Sequence, residues 1–222
     1  MIIKVCGLRE PENLRAVEDC GADWTGLISY PRSPRHVPAD ALLPPARTLR
    51  WGVFVNAPLP DIVRSAAAWG LRGVQLHGQE SPALCRALRR RGLWVMKALG
   101  VRCAADLERA AAYAGSCHYL LFDTPCPGYG GSGRAFSWQL LRHYRGPLPF
   151  LLSGGIGPHS LPALAALRHP QWAGIDVNSR FEYRPGLKNT ALLGPFIAAV
   201  RQLFPRPQTF YLPSNIQPHE PN

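Results

Sequence analysis

Short apolar runs recur along the chain, separated by stretches in which apolar positions return at helical spacing. The β-type runs are Ile2–Val5, Trp24–Ile28, Trp51–Val55, Gly73–Leu76, Leu93–Lys97, His118–Phe122, Leu148–Leu152 and Trp172–Val177. They lack strict alternation of polar and apolar residues, as parallel strands covered on both faces do. The intervening stretches, such as Asp61 through Trp69 and Ala104 through Tyr113, predict helices. Gly21, Gly70, Gly92 and Gly115 each stand just before a strand, where glycine supplies the left-handed residue that ends a helix. Alternating strand and helix predicts a parallel sheet with right-handed crossovers. Eight such units predict an α/β fold, a single-domain (β/α)8 TIM barrel over residues 1–204, rather than an open doubly wound sheet. The second unit is irregular, because Pro31, Pro34, Pro38, Pro44 and Pro45 leave room only for a short helix around Ala39–Leu43. Past Phe204 the chain is proline-rich and aperiodic, so residues 205–222 are expected to form an extended or disordered tail.

In such a barrel the functional residues follow the carboxyl ends of the strands. Cys6 follows the first, placed for proton transfer or nucleophilic attack, although free cysteines are also common as small buried hydrophobes. The proline-rich loop after the second carries Arg32 and Arg35, anchors for a carboxylate or phosphate or else ordinary surface arginines. His77 follows the fourth, either as a substrate ligand or as a packed rim residue. Asp123 follows the sixth; a carboxyl group leaving an apolar strand suits acid work, with a turn or capping role as the alternative. After it comes the long loop around Gly128-Tyr129-Gly130-Gly131-Ser132-Gly133, with the length of a lid. Ser153-Gly154-Gly155 follows the seventh strand and Asn178-Ser179-Arg180 the eighth. Glycines let backbone N–H groups approach an anion, a following helix start adds its dipole, and barrels often hold phosphate at these two loops.

Composition narrows the partner class. The 222 residues carry a formal net charge of +11, from 25 Lys plus Arg against 14 Asp plus Glu. That excess favours an anionic partner. The basic residues are spread through helices, as in Arg86-Ala87-Leu88-Arg89-Arg90-Arg91, with no interleaved aromatic stripe, which argues for a phosphorylated small molecule over nucleic acid. The six cysteines include no CxxC pair, so neither a zinc site nor a redox motif is expected, and they are expected to remain thiols. No apolar run approaches the ~20 residues of a membrane span. The chain opens directly on a strand, which predicts a cytoplasmic protein.

Taken in order, the segments Lys4-Val5-Cys6-Gly7-Leu8, Gly21-Ala22-Asp23, Ser33-Pro34-Arg35, Gly52-Val53-Phe54-Val55-Asn56, Val74-Gln75-Leu76-His77-Gly78, Gly130-Gly131-Ser132-Gly133 with Phe136 and Trp138, Ser153-Gly154-Gly155 and Gly174-Ile175-Asp176-Val177-Asn178-Ser179 resemble the phosphoribosylanthranilate isomerase family of tryptophan biosynthesis. The likeness runs over about residues 2–203. It implies a cofactor-free, metal-free Amadori rearrangement of N-(5-phosphoribosyl)anthranilate. It further implies Asp123 as general acid, Cys6 as general base and Arg35 on the anthranilate carboxylate. His77 would touch substrate, and Gly154, Gly155, Asn178, Ser179 and Arg180 would surround the phosphate. One position departs from the family's commoner Ser-Ser-Gly pattern. Were the glycine position left-handed, Arg180 would cost about 1 kcal/mol there; its side chain could instead supply charge to the phosphate or turn to solvent. A histidine-pathway type of phosphosugar isomerase, the nearest alternative, would use paired aspartates where this chain has Cys6.

Overall fold

A computed structural model describes residues 1–125 and 136–205. Eight parallel strands close into a barrel in chain order, the first pairing with both the second and the eighth. They are β1 (Ile2–Val5), β2 (Trp24–Ile28), β3 (Leu49–Phe54), β4 (Gly73–Leu76), β5 (Trp94–Gly100), β6 (Tyr119–Asp123), β7 (Phe150–Leu152) and β8 (Trp172–Val177). Helices α1 (Pro11–Asp19), α2 (Leu59–Ala68), α3 (Pro82–Arg89), α4 (Leu161–Ala166) and α5 (Thr190–Leu203) pack outside. A two-stranded antiparallel ribbon, β9 (Glu182–Arg184) with β10 (Leu187–Lys188), follows β8.

Period-two geometry divides each strand between two cores. Outward residues such as Ile3, Val5, Val74, Leu76, Leu120, Phe122, Ile175 and Val177 pack beneath the helices. Inward residues Ile2, Trp24, Trp51, Trp94, Met96, Tyr119, Leu121 and Leu151 fill the barrel. Trp24 and Trp51 have ring centroids 4.8 Å apart, and Tyr119 meets Trp24 edge-on at 5.3 Å. This aromatic plug closes the amino-terminal half, so the cavity can open only toward the carboxyl ends.

The four glycines expected to end helices adopt positive φ, from +61° at Gly70 to +92° at Gly21. The arginines at the end of α3 are structural: Arg86 donates to Ser116 Oγ and Arg89 to the Gly115 carbonyl in the turn before β6, and Arg91, just past the helix, donates to the Ala87 carbonyl of its last turn.

Three expectations are corrected. No helix forms over 39–43; prolines remove donors there, and the segment is held by Arg50, which donates to the Pro44 and Trp69 carbonyls. Ala104–Tyr113 is a 3-10 helix, not an α-helix. Strand β5 runs three residues past the expected Lys97, and a 3-10 helix covers about 20 Å in ten residues where an α-helix covers about 15 Å, which suits a longer return. The glycine loops after β7 and β8 lead into single 3-10 turns, Pro158–Ser160 and Ser179–Phe181, rather than directly into α-helices.

Among the described residues no helix is long and apolar enough to cross a membrane, and no group of three His, Cys, Asp or Glu could hold a metal ion. Cys6, Cys20, Cys85, Cys103 and Cys117 are free thiols. Cys126, the glycine loop at 128–133 and the tail from residue 206 lie outside the described residues.

Candidate active site

The inward positions at the carboxyl ends of the strands line one open cavity. Its walls include every site residue expected from the sequence: Cys6, Arg35, His77, Asp123, Gly154, Gly155, Asn178, Ser179 and Arg180. Period two explains the selection. Cys6 lies two residues beyond Lys4, His77 two beyond Gln75 and Asn178 two beyond Asp176, so each pair shares the barrel interior.

Cys6 is 3% exposed at the cavity floor. Lys4, fully buried behind it, donates to Asp176 Oδ1 at 2.8 Å, and Ser153 Oγ lies 3.5 Å from the other Asp176 oxygen. Burial pushes the Cys6 thiol above its ordinary value; the Lys4 ammonium pulls it down, Asp176 pushes it up, and burial prevails. Burial also disfavours the Lys4 ammonium, but Asp176 and the thiol outweigh that and hold its pKa above the ordinary value. A Cβ at Gly26 on β2 would stand 2.9 Å from Cys6 Sγ and 3.2 Å from Lys4 Nζ. The bare α-carbon there is what lets thiol and ammonium share the floor.

Asp123, at the end of β6, accepts a hydrogen bond from Thr124 N at 2.8 Å through Oδ1, while Oδ2 lies 3.3 Å from His77 Nε2. The Gln75 amide nitrogen is 2.9 Å from His77 Nδ1. That contact orients the ring so that its other nitrogen, Nε2, faces the Asp123 carboxyl group. The loop bearing His77 is itself pinned. Glu80 accepts from Gly78 N and Asn56 N and pairs with buried Lys97 at 3.1 Å.

Gly154 and Gly155 have φ of +90° and +70°. A Cβ on Gly154 would collide with Thr124 and stand 3.1 Å from Asp123 Oδ1, so this loop passes directly over the acid. Arg180 lies within a 3-10 turn, and Asn56 is the only non-glycine with positive φ among the described residues. The departure from Ser-Ser-Gly therefore carries no left-handed strain. Arg180 is exposed at the rim, its side chain against the α-carbon of Gly157, where a Cβ would come within 3.1 Å of Arg180 Cβ. Across the cavity Arg35 is only 7% exposed and makes a bidentate pair with Glu182, Nη2 to Oε2 at 2.6 Å and Nε to Oε1 at 2.9 Å.

These elements match a known set of proteins. The family model for N-(5'phosphoribosyl)anthranilate (PRA) isomerase matches residues 3–199. The chain belongs to the N-(5'-phosphoribosyl)anthranilate isomerase family. It is 50% identical over 202 residues to the N-(5'-phosphoribosyl)anthranilate isomerase of Phocaeicola vulgatus, covering 91% of this chain and 98% of that one. The phosphoribosylanthranilate isomerase of Thermotoga maritima superposes with a TM-score of 0.78 at 34% identity, over 91% of this chain and all of that one. Another solved isomerase, bound to reduced 1-(o-carboxyphenylamino)-1-deoxyribulose 5-phosphate, gives a TM-score of 0.75 at 31% identity, over 91% of this chain and 100% of its own. The chain is thus an isomerase of tryptophan biosynthesis built on a TIM barrel.

Sequence reasoning missed Asp176 and Gln75, which line the cavity themselves, and Lys4, Glu182 and Lys188 behind it. A readable signal existed for Lys4 and Asp176, since a charge inside an otherwise buried strand, two places from a site residue, must face the same interior.

Proposed function

We propose that this isomerase runs an Amadori rearrangement of N-(5-phosphoribosyl)anthranilate with Asp123 as general acid and Cys6 as general base, without a cofactor. The observation that carries this reading is the opening of both groups onto one cavity from β6 and β1. Protonated Asp123 delivers its proton to the furanose ring oxygen. The C1′–O bond breaks as the anilino nitrogen lone pair forms the C1′=N bond of a Schiff base. The Cys6 thiolate then takes the C2′ proton, and the electrons released move through C1′ to nitrogen, giving an enolamine. That enol tautomerises to the C2′ ketone, the open-chain 1-(2-carboxyphenylamino)-1-deoxyribulose 5-phosphate.

The surrounding charges support these roles. Donation from His77 Nε2 stabilises the carboxylate that Asp123 becomes after giving up its proton. The Lys4 ammonium beside Cys6 offsets part of the burial that disfavours the thiolate. Arg35 would take the ring carboxylate, while Gly154, Gly155, Asn178, Ser179 and Arg180 would receive the phosphate through backbone N–H groups and one guanidinium. The ligand of the related isomerase carries both of these anionic ends. His77 additionally faces the sugar between them. A cytoplasmic enzyme acting on a phosphorylated small molecule, and not on nucleic acid, fits this picture.

The test is substitution. Cys6→Ala and Asp123→Asn should each lower kcat by about 100-fold or more with modest change in KM, because each group acts chiefly in a transition state. Retained turnover in either variant removes that residue from the mechanism.

A further inference from the structure

All three lysines of the chain, Lys4, Lys97 and Lys188, are buried. Lys4 belongs to the catalytic floor and Lys97 to the loop under His77. Lys188 is left without a role in the reaction, yet it too is fixed at both its ammonium and its backbone. Its side chain has no exposed surface, and its ammonium donates to Glu182 Oε1 at 2.6 Å and to Asn178 Oδ1 at 2.6 Å. Its backbone is gripped on both sides by the Asn13 amide of α1, Lys188 N to Oδ1 at 2.7 Å and Nδ2 to Lys188 O at 2.9 Å. Ribbon register sets Lys188 opposite Glu182, so β9 and β10 exist here to hold the two together.

Glu182 faces two cations at once. Burial alone would raise its carboxyl, but bonds from Arg35 and Lys188 outweigh that and hold it below the usual range. Arg35 spends Nε and Nη2 on that carboxylate. An Arg35–Glu182 pair by itself is electrically neutral. A ligand carboxylate approaching the remaining end of the guanidinium would meet a buried like charge a few ångströms behind it, which in a low-dielectric wall is strongly unfavourable. Adding Lys188 changes the balance: two cations against one anion leave a single net positive charge at the wall, displayed on Arg35. The same ammonium binds Asn178 Oδ1, which fixes the amide with both of its N–H donors still available to an anion. Both consequences favour an anion.

We infer that Lys188 is a positioning and charge-compensating residue that makes the Arg35 corner selective for an aryl carboxylate over an uncharged aryl ring. The inference rests on the proposed assignment of Arg35 to the ring carboxylate.

The experiment measures a ratio of affinities. Dissociation constants are determined by calorimetry for reduced 1-(o-carboxyphenylamino)-1-deoxyribulose 5-phosphate and for the same compound lacking the ring carboxylate. The purified full chain, Lys188→Met and the double variant Glu182→Gln/Lys188→Met are compared. Lys188→Met should reduce the preference for the carboxylate compound by tenfold or more, with affinity for the carboxylate-free compound within about threefold of the parent. The double variant restores one net positive charge and leaves no buried anion uncompensated, so it should fold and hold the parent preference within about threefold. A loss of preference in the double variant counts against the inference even if Lys188→Met alone does not fold. An unchanged preference in Lys188→Met, or a double variant whose preference is tenfold below the parent, overturns the inference. A parent protein with no preference between the two compounds overturns the Arg35 assignment itself, an outcome distinguishable because it appears before any substitution.

Discussion

Gly26 offers the sharpest perturbation of the catalytic floor, because it touches the thiol without contributing any chemistry. An added Cβ would stand 2.9 Å from Cys6 Sγ, 3.1 Å from Cys6 Cα and 3.2 Å from Lys4 Nζ. Ordinary contact begins at 3.4 Å, so the thiol must retreat by about 0.5 Å and strand β1 by about 0.3 Å. The strand and the ammonium are held in place: Cys6 N is bonded to the Val177 carbonyl at 2.9 Å, and Lys4 is fixed by Asp176, so the thiol is the group that moves, out into the cavity. Overpacking of this kind costs about 1–3 kcal/mol of stability. A barrel of this size should tolerate that as a fall of several degrees in Tm. Catalysis is more sensitive, since a misplacement approaching 1 Å can cost about 100-fold. Gly26→Ala is therefore expected to lower kcat by about 10- to 100-fold with KM little changed, because Arg35 and the loops after β7 and β8 are untouched. The assay is the loss of anthranilate-type fluorescence, with a melting curve on the same sample. A variant that melts several degrees lower but turns over at the parent rate would refute the idea that thiol placement on this floor governs the reaction.

Cys6 and Arg180 yield two further expectations. The Cys6 thiol lies above its ordinary value of 9.0, so its thiolate fraction is small at neutral pH and grows as pH rises. kcat/KM should still be increasing at pH 9.0, and a flat profile over about pH 6 to 9 would contradict a thiolate base. Arg180→Ala should raise KM about tenfold or more at nearly constant kcat, the signature of a charge-assisted bond to a phosphate remote from the proton transfers; an unchanged KM would mean that the loop backbones hold the phosphate alone.

Much of this was legible before any coordinates. β1, β2, β4 and β8 begin and end at the residues that the apolar runs mark, because a strand buried on both faces is predominantly apolar, with the few inward polar residues such as Lys4, Gln75 and Asp176 reserved for the barrel interior. β5 runs three residues past its apolar run: its last residues, Ala98-Leu99-Gly100, look in sequence like the start of a loop, and only their pairing with Leu121-Phe122-Asp123 of β6 extends it. The rule that function follows the carboxyl end of a strand points to Cys6, His77 and Asp123, and all three line the one cavity. It could not locate Glu182, which is 147 positions from its partner Arg35 and lies in a ribbon with no strong local pattern. The contact between His77 and Asp123 was equally hidden, since it joins side chains from β4 and β6 that only closure of the barrel brings within 3.3 Å.

The most direct test of the central claim is turnover by the unmodified protein. N-(5-phosphoribosyl)anthranilate is generated in place from anthranilate and 5-phosphoribosyl pyrophosphate, and its emission is followed after the chain is added, with Cys6→Ala and Asp123→Asn run in parallel. The account predicts rapid loss of emission with the parent protein and rates at least about 100-fold lower with either variant. Emission that decays with the parent no faster than in buffer alone would contradict it.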